Sequence, residues 1–269
     1  GVVMQKSAQT IPLFDGYIFD LDGTVYLGEA LLPGAGETIQ RLRALGRRVV
    51  FLSNNPTHTR EQYVKRLERL GLPTPAHEII NSAIVLVQWL LREAPGSKVF
   101  VVGEQPLKDE LTAAGFQLTE RAGEIEFVIA SFDRTFEYRK LQIAFDAIRA
   151  GARLIATNAD RYCPVPGGGE PDAAAIIAAI EACTNTKIEV VVGKPSPIMA
   201  QAVAEIIQLP LERCLMTGDR LETDIAMGNA AGMATALTLT GASTREMIET
   251  LGIQPTYVIE GLHQLVEGV

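Results

Sequence analysis

The chain has no long hydrophobic run. Its longest apolar stretch, from Ile79 to Leu91, is broken by Asn81, Ser82 and Gln88, well short of the roughly twenty apolar residues that span a bilayer. It also has no run of five or more basic residues, and its formal net charge is −8. An acidic chain repels a phosphate backbone and stays soluble through its own charge. Neither nucleic acid nor a membrane is therefore an expected partner. The first residues are interrupted by Lys6, Ser7 and Gln9, so a signal peptide is not expected. Cysteine is scarce. Cys163, Cys183 and Cys214 are widely spaced, odd in number and never in a Cys-x-x-Cys pair, which excludes a disulfide framework and fits a reducing, cytoplasmic home. With only 3 histidines, no ligand cluster with zinc spacing forms. Cys183 and Cys214 are expected to be small core residues. Internal repeats and low-complexity tracts are absent as well.

What is present is a globular composition: 269 residues, 47% hydrophobic and 21% charged, enough for one large or two ordinary domains. Strand-like and helix-like segments alternate throughout, as parallel sheets with crossover helices require. A buried strand is predicted over 16–19. A helix over 36–45 follows, with Ile39, Leu42 and Leu45 on one stripe and Gly46 as its stop. The next strand is predicted over 48–52 and the next helix over 60–70. A second alternating set runs from about 82 to 187, with helices over 83–92, 107–114, 138–149 and 172–183 and strands over 98–102, 127–130 and 153–157. The last part returns to the first pattern, with strands at 189–192, 213–217 and 234–240 and helices at 198–207 and 224–231.

Chemistry-bearing residues fall where strands end. In Tyr17-Ile18-Phe19-Asp20-Leu21-Asp22-Gly23-Thr24, an apolar strand ends on two carboxylates flanking one leucine. Residues two apart in an extended segment point the same way, so Asp20 and Asp22 crowd one spot. Two anions that close need a cation or a shared proton, and a hard divalent ion is the simplest remedy; a Ca²⁺ loop or a solvated strand end remains the plainer alternative. Ser53-Asn54-Asn55 offers a hydroxyl and clustered backbone N–H groups suited to phosphate oxygens. Lys194, between Gly193 and Pro195, supplies a positive point charge. Asp219 follows another apolar strand, and Asp224 opens a helix, where it could equally be an N-cap. Carboxylates for a metal, a nucleophile, phosphate-binding groups and a counter-charge are the parts that phosphoryl transfer needs.

In these four motifs (Asp20-Leu21-Asp22-Gly23-Thr24, Ser53, Lys194, and Asp219 with Asp224) the chain resembles the haloacid dehalogenase superfamily. Thr157-Asn158-Ala159-Asp160 and Gly193-Lys194-Pro195-Ser196-Pro197 look like its large-cap group, which includes NagD-like, p-nitrophenylphosphatase-like and phosphoglycolate phosphatases. The resemblance implies an α/β fold: a Rossmann-like parallel-sheet core with an inserted α/β cap domain. Spacing points the same way. About thirty residues separate Asp22 from Ser53, room for one crossover, whereas about 140 separate Ser53 from Lys194, several times what a crossover needs. The expected core is 1–81 and 188–269, and the expected cap is 82–187.

The resemblance further implies a Mg²⁺-dependent phosphomonoester hydrolase acting on a small phosphorylated metabolite. Asp20 would be the nucleophile that becomes the aspartyl-phosphate, and Asp22 the general acid and base. Ser53, Asn54, Asn55 and Lys194 would hold the phosphoryl group. Mg²⁺ would be bound by Asp20, Asp219 and the main-chain carbonyl of Asp22, with Asp224 acting through water or orienting the ligands. Arg161, Tyr162 and Cys163, in the loop after Asp160, are candidates for substrate choice. The alternatives are a phosphomutase using the same aspartates and a catalytically idle sensor of phosphorylated metabolites. A homodimer is compatible with the sequence.

Overall fold

The computed structural model describes residues 10–269; the amino-terminal reading from Lys6, Ser7 and Gln9 lies outside them. In chain order the strands are β1 (Gly16–Asp20), β2 (Tyr26–Leu27), β3 (Ala30–Leu31), β4 (Arg48–Ser53), β5 (Ile79–Asn81), β6 (Lys98–Val102), β7 (Gln117–Leu118) and β8 (Phe127–Ala130). They continue as β9 (Arg153–Ala156), β10 (Tyr162–Val165), β11 (Gly168–Pro171), β12 (Val190–Val191), β13 (Cys214–Gly218), β14 (Ala234–Thr238) and β15 (Tyr257–Ile259). A six-stranded sheet has the order β15-β14-β13-β1-β4-β5 and a five-stranded sheet the order β12-β9-β8-β6-β7, while β2-β3 and β10-β11 are separate hairpins. The chain divides into two compact units, one of residues 10–52, Lys65–Ile79 and Val203–Val269, the other of Ser53–Val64 and Ile80–Ala202.

In the first unit β1 lies between β4 and β13, parallel to both, and β13 pairs in parallel with β14, as β14 does with β15. Tyr17, Ile18 and Phe19 are all essentially inaccessible. A strand buried on both faces reads as an unbroken apolar run, because crossover helices cover both sides. Each such side chain contributes about 1.5–3 kcal/mol of burial. From β1 the strand order runs outward to β4 and β5 on one side and to β13, β14 and β15 on the other. The order therefore reverses between β1 and β13, and open α/β sheets bind ligands at such a switch point, beyond the carboxyl ends of the strands.

The second unit is built on the five-stranded sheet, whose pairs are also parallel. Phe100, Val102, Val128, Ala130, Leu154 and Ala156, alternate residues of three strands, pack with Ala144, Ala147, Ile176, Ile177 and Ile180 of the helices Tyr138–Arg149 and Ala173–Thr184. Val99, Val101, Ile129 and Ile155, on the opposite face, are buried too. Beyond β8, Asp133 is ion-paired to Lys140 at 2.7 Å with its side chain fully enclosed, and Lys140 Nζ also donates to Thr135 Oγ1.

Several expectations are corrected. The strand expected to open the return to the first pattern at 189 is β12, and it pairs with β9 (Val190↔Ile155, Val191↔Ala156), so the second sheet extends past residue 187. The expected loop after Asp160 is the antiparallel hairpin β10-β11, which turns at Gly167 with φ +83°. Cys183 is exposed, whereas Cys214 is buried as expected. The segment expected to begin a helix at Asp224 is a π-helical turn, Leu221–Ile225, leading into the short helix Ala226–Ala230. No helix among the described residues is long and apolar enough to cross a membrane.

Candidate active site

Asp20 is the last residue of β1 and lies opposite Leu52, one residue before the end of β4. Asp219 directly follows Gly218, the last residue of β13. Two adjacent parallel strands thus deliver a carboxylate each to the switch point. The third comes from the π-helical turn, a wide turn often found at functional sites, whose Asp224 folds back onto β13. Oxygens of Asp20, Asp219 and Asp224 all lie within 4.8 Å of one another. Asp219 and Asp224 are buried, which makes their proximity costly unless a cation balances it.

The surrounding backbone holds these groups in place. Asp224 Oδ2 accepts from the Arg220 N–H at 3.1 Å, and Asp219 Oδ2 accepts from the Ala242 N–H at 2.9 Å. Thr24 Oγ1 lies 3.4 Å from Asp219 Oδ1. Gly23 has φ +81°, open to glycine at little cost, and a Cβ there would run into the Asp219 carboxylate. Gly218 is pressed against Asp224 in the same way, and Gly241 against Asp219. The loop after β14 closes the arrangement: Ser243 N–H donates to the Asp219 carbonyl at 2.9 Å, Leu221 N–H to Ser243 Oγ at 3.0 Å, and Thr240 Oγ1 to the Gly23 carbonyl at 2.7 Å. Reading the sequence missed this loop, because the small residues of Thr240-Gly241-Ala242-Ser243 carry no chemical signature of their own.

Asp22 sits in the turn after β1 and is exposed. Gly23 N–H donates to the Tyr26 carbonyl, and the N–H groups of Thr24 and Val25 donate to the Leu21 carbonyl. This tight turn carries Asp22 just past Asp20 with its side chain open to solvent. Asp20, Asp219 and Asp224 form an all-oxygen set of hard ligands, which suits Mg²⁺.

The second unit holds the other expected group. Ser53, Asn54 and Lys194 are buried there, and Asn55 is half-buried. Ser53 Oγ accepts from the Asn55 N–H at 3.0 Å, with the Tyr63 hydroxyl 3.1 Å away. Asn55 Oδ1 accepts from Thr57 N–H and Thr57 Oγ1 at 2.9 and 2.6 Å. Both the backbone N–H and the side-chain oxygen of Asn55 thus shape the turn. Asn54 is paired with Lys194 instead: Lys194 N–H donates to Asn54 Oδ1 at 2.8 Å, and Asn54 Nδ2 donates to the Lys194 carbonyl at 3.1 Å. Arg161, just before β10, and Tyr162, its first residue, are exposed, with Cys163 half-buried beside them. The structure therefore groups Asp20, Asp219 and Asp224 in one unit, and Asn54 with Lys194 in the other.

A family model described as haloacid dehalogenase-like hydrolase matches residues 17–117, and a second, described as HAD-hydrolase-like, matches residues 191–265. Sugar-phosphatase AraL of Bacillus subtilis is 40% identical over 252 residues, 94% of this chain and 92% of that protein. The solved structure of p-nitrophenyl phosphatase from Archaeoglobus fulgidus superposes with a TM-score of 0.90 at 35% identity, covering 96% of this chain and 100% of that one. The glycerol phosphate phosphatase of Mycobacterium tuberculosis, solved in complex with magnesium, superposes with a TM-score of 0.86 at 30% identity, covering 94% of this chain and 76% of that one.

Proposed function

The chain belongs to the haloacid dehalogenase-like hydrolase family and is a phosphatase; from that premise we propose that it hydrolyses small phosphorylated metabolites, sugar phosphates foremost, with Mg²⁺ as cofactor and through an aspartyl-phosphate on Asp20. The observation that carries this reading is the carboxylate cluster of Asp20, Asp219 and Asp224 at the switch point of the parallel sheet.

In this reading Asp20 attacks phosphorus and the ester oxygen leaves. Asp22, exposed on the turn that follows, gives that oxygen its proton and then takes one from the water that cleaves the acyl phosphate. A hydroxyl from Ser53, the main-chain N–H of Asn54 and the Lys194 ammonium take the phosphoryl oxygens and offset the charge that develops on them. Asn55 shapes the turn that presents Ser53. Asp20, Asp219 and the Asp22 carbonyl would hold Mg²⁺, with Asp224 orienting them or acting through water. When bound, the ion supplies positive charge that lets an anionic nucleophile approach an anionic ester. The segment 82–187 is the inserted cap in this reading, and Arg161, Tyr162 and Cys163 select the leaving group. Three thiols without a disulfide support a reducing, cytoplasmic setting.

The test is phosphate release from a panel of sugar phosphates, with Mg²⁺ and after chelation, for the wild type and for Asp20→Asn. Turnover should require the metal and vanish in the variant while its unfolding curve stays native-like. Metal-independent release, or near wild-type turnover by Asp20→Asn, would overturn the reading.

A further inference from the structure

Asp160 closes the Thr157-Asn158-Ala159-Asp160 motif, and the second unit gives its carboxylate a specific partner. Asp160 Oδ1 accepts from Asn54 Nδ2 at 2.9 Å. The same Nδ2 donates to the Lys194 carbonyl at 3.1 Å, and Asn54 Oδ1 accepts the Lys194 N–H at 2.8 Å. A primary amide has two N–H donors, and here both are committed. The Asn54 side chain thus pairs with the backbone N–H and C=O of Lys194 as a residue of a neighbouring strand would, in a buried setting where hydrogen bonds are strong and unpaired groups costly. The charged acceptor strengthens the outer N–H bond and fixes which way the amide faces.

The turn is built to admit this arrangement. A Cβ at Gly193 would lie 2.8 Å from Asn54 Oδ1 and 2.7 Å from the Thr157 carbonyl, so only glycine lets the Lys194 turn come this close. Gly193 N–H donates to that Thr157 carbonyl at 2.8 Å. Thr157 and Asn158 are anchored in turn: Ser131 Oγ and Thr157 Oγ1 are 2.8 Å apart, Thr157 Oγ1 donates to Asn158 Oδ1 at 2.7 Å, and Asn158 Nδ2 donates to Asp172 Oδ1 at 3.0 Å. The end of β9 is therefore a rigid frame, and Asp160 is its point of contact with the Asn54–Lys194 pair.

We infer that Asp160 is a positioning residue for the phosphatase reaction, acting through the Asn54 amide to fix the Lys194 backbone and so the direction in which its ammonium projects. The inference rests on the role proposed for Lys194 above. If Lys194 offsets charge that grows in the transition state, loosening its backbone lowers kcat more than it raises KM. Asp160→Ala should reduce kcat for p-nitrophenyl phosphate about tenfold or more, the size expected for loss of one charge-assisted hydrogen bond, with KM changed less than threefold. Asp160→Asn keeps an oxygen acceptor, and should recover most of the rate.

A double-mutant cycle with Lys194→Ala provides the decisive measurement. Residues that act as a unit are non-additive, so Asp160→Ala should cost almost nothing further once Lys194 is gone. A full additional tenfold loss in the Lys194→Ala background would overturn the inference, because it would mean that Asp160 acts on the fold or on another group. So would an Asp160→Ala enzyme with wild-type kcat. If Lys194→Ala alone keeps wild-type turnover, the assignment of Lys194 falls instead, and the single variant separates that failure from the other. Thermal unfolding of each variant checks that the folded fraction is unchanged, and Asp160→Leu, which fills the space but offers no acceptor, serves the cycle if the alanine variant is unstable.

Discussion

Asp224 lies so close over Gly218 that a side chain of even one carbon at residue 218 would occupy the space of the Asp224 carboxylate. The contact joins the last residue of β13 to the π-helical turn that follows it, and so couples the end of a core strand to the acidic cluster. Within the same turn, Asp224 Oδ2 accepts the Arg220 N–H at 3.1 Å.

Gly218→Ala should therefore act on the cluster before it acts on the fold. The added methyl must displace Asp224 or shift β13, and overpacking of this kind costs about 1–3 kcal/mol. The expected outcome is a raised Mg²⁺ requirement for phosphate release together with a lowered urea midpoint. An unchanged metal titration would mean that Asp224 moves aside without consequence for the metal.

The roles of Asp219 and Asp224 can be separated by the same titration. If Asp219 binds the metal directly and Asp224 works through water, Asp219→Ala raises the Mg²⁺ concentration for half-activity far more than Asp224→Ala does. Equal shifts would make Asp224 a direct ligand, which a cluster within 4.8 Å equally accommodates.

Much of this arrangement was legible in the sequence because it lies at the ends of strongly apolar strands. Tyr17-Ile18-Phe19 before Asp20 and Cys214-Leu215-Met216 before Asp219 announce buried strands, and a carboxylate at the end of one has few structural uses. What escaped depends on contacts between distant parts of the chain. Asn54 meets Lys194 across 140 residues, and nothing local to either shows that the amide is taken up by the Lys194 backbone and Asp160. β12 is two valines, Val190 and Val191, too short to show which sheet it joins. The helix Ala173–Thr184 is apolar almost throughout, so its periodicity does not show which face Cys183 takes. The strand Tyr257–Ile259 and the helix Arg245–Leu251 were not identified for the same want of length.

The two thiols that the sequence treated alike should differ in reactivity. Burial pushes the Cys214 thiol up to about 11 from its ordinary 9.0, and no part of that residue reaches solvent; Cys183 is exposed. At pH 8 a disulfide reagent should label Cys183 within minutes and leave Cys214 untouched until the protein unfolds. A pH dependence follows as well. Because the folded thiol holds its proton more tightly than the unfolded one, its contribution is complete below pH 9 and is lost as pH rises towards 11. The wild type should thus lose stability over that interval more steeply than Cys214→Ala, as followed by denaturant unfolding. Parallel curves would show that the thiol is not held neutral.

The hairpin β10-β11 begins at the side chains proposed to choose the leaving group. Tyr162 at its start and Arg161 just before it are exposed, and Glu170 of β11 lies 3.8 Å from Nη1 of Arg134, whose Nη2 is 2.7 Å from Glu104 Oε1. A hairpin with a cation and a phenol at its start can discriminate among leaving groups without taking part in phosphoryl transfer. Replacing Arg161 and Tyr162 together by alanine should then change the ranking of kcat/KM across a panel of sugar phosphates. A preferred substrate that loses one charged hydrogen bond should fall roughly ten- to a hundredfold, about 1.5–3 kcal/mol. p-Nitrophenyl phosphate, with little beyond its ring to contact, should change much less. A uniform fall across the panel would assign the hairpin to folding or closure, since a lost recognition contact must spare substrates that never made it. No change at all would leave these side chains facing only water, and substrate choice would then have to reside in other residues of the 82–187 segment.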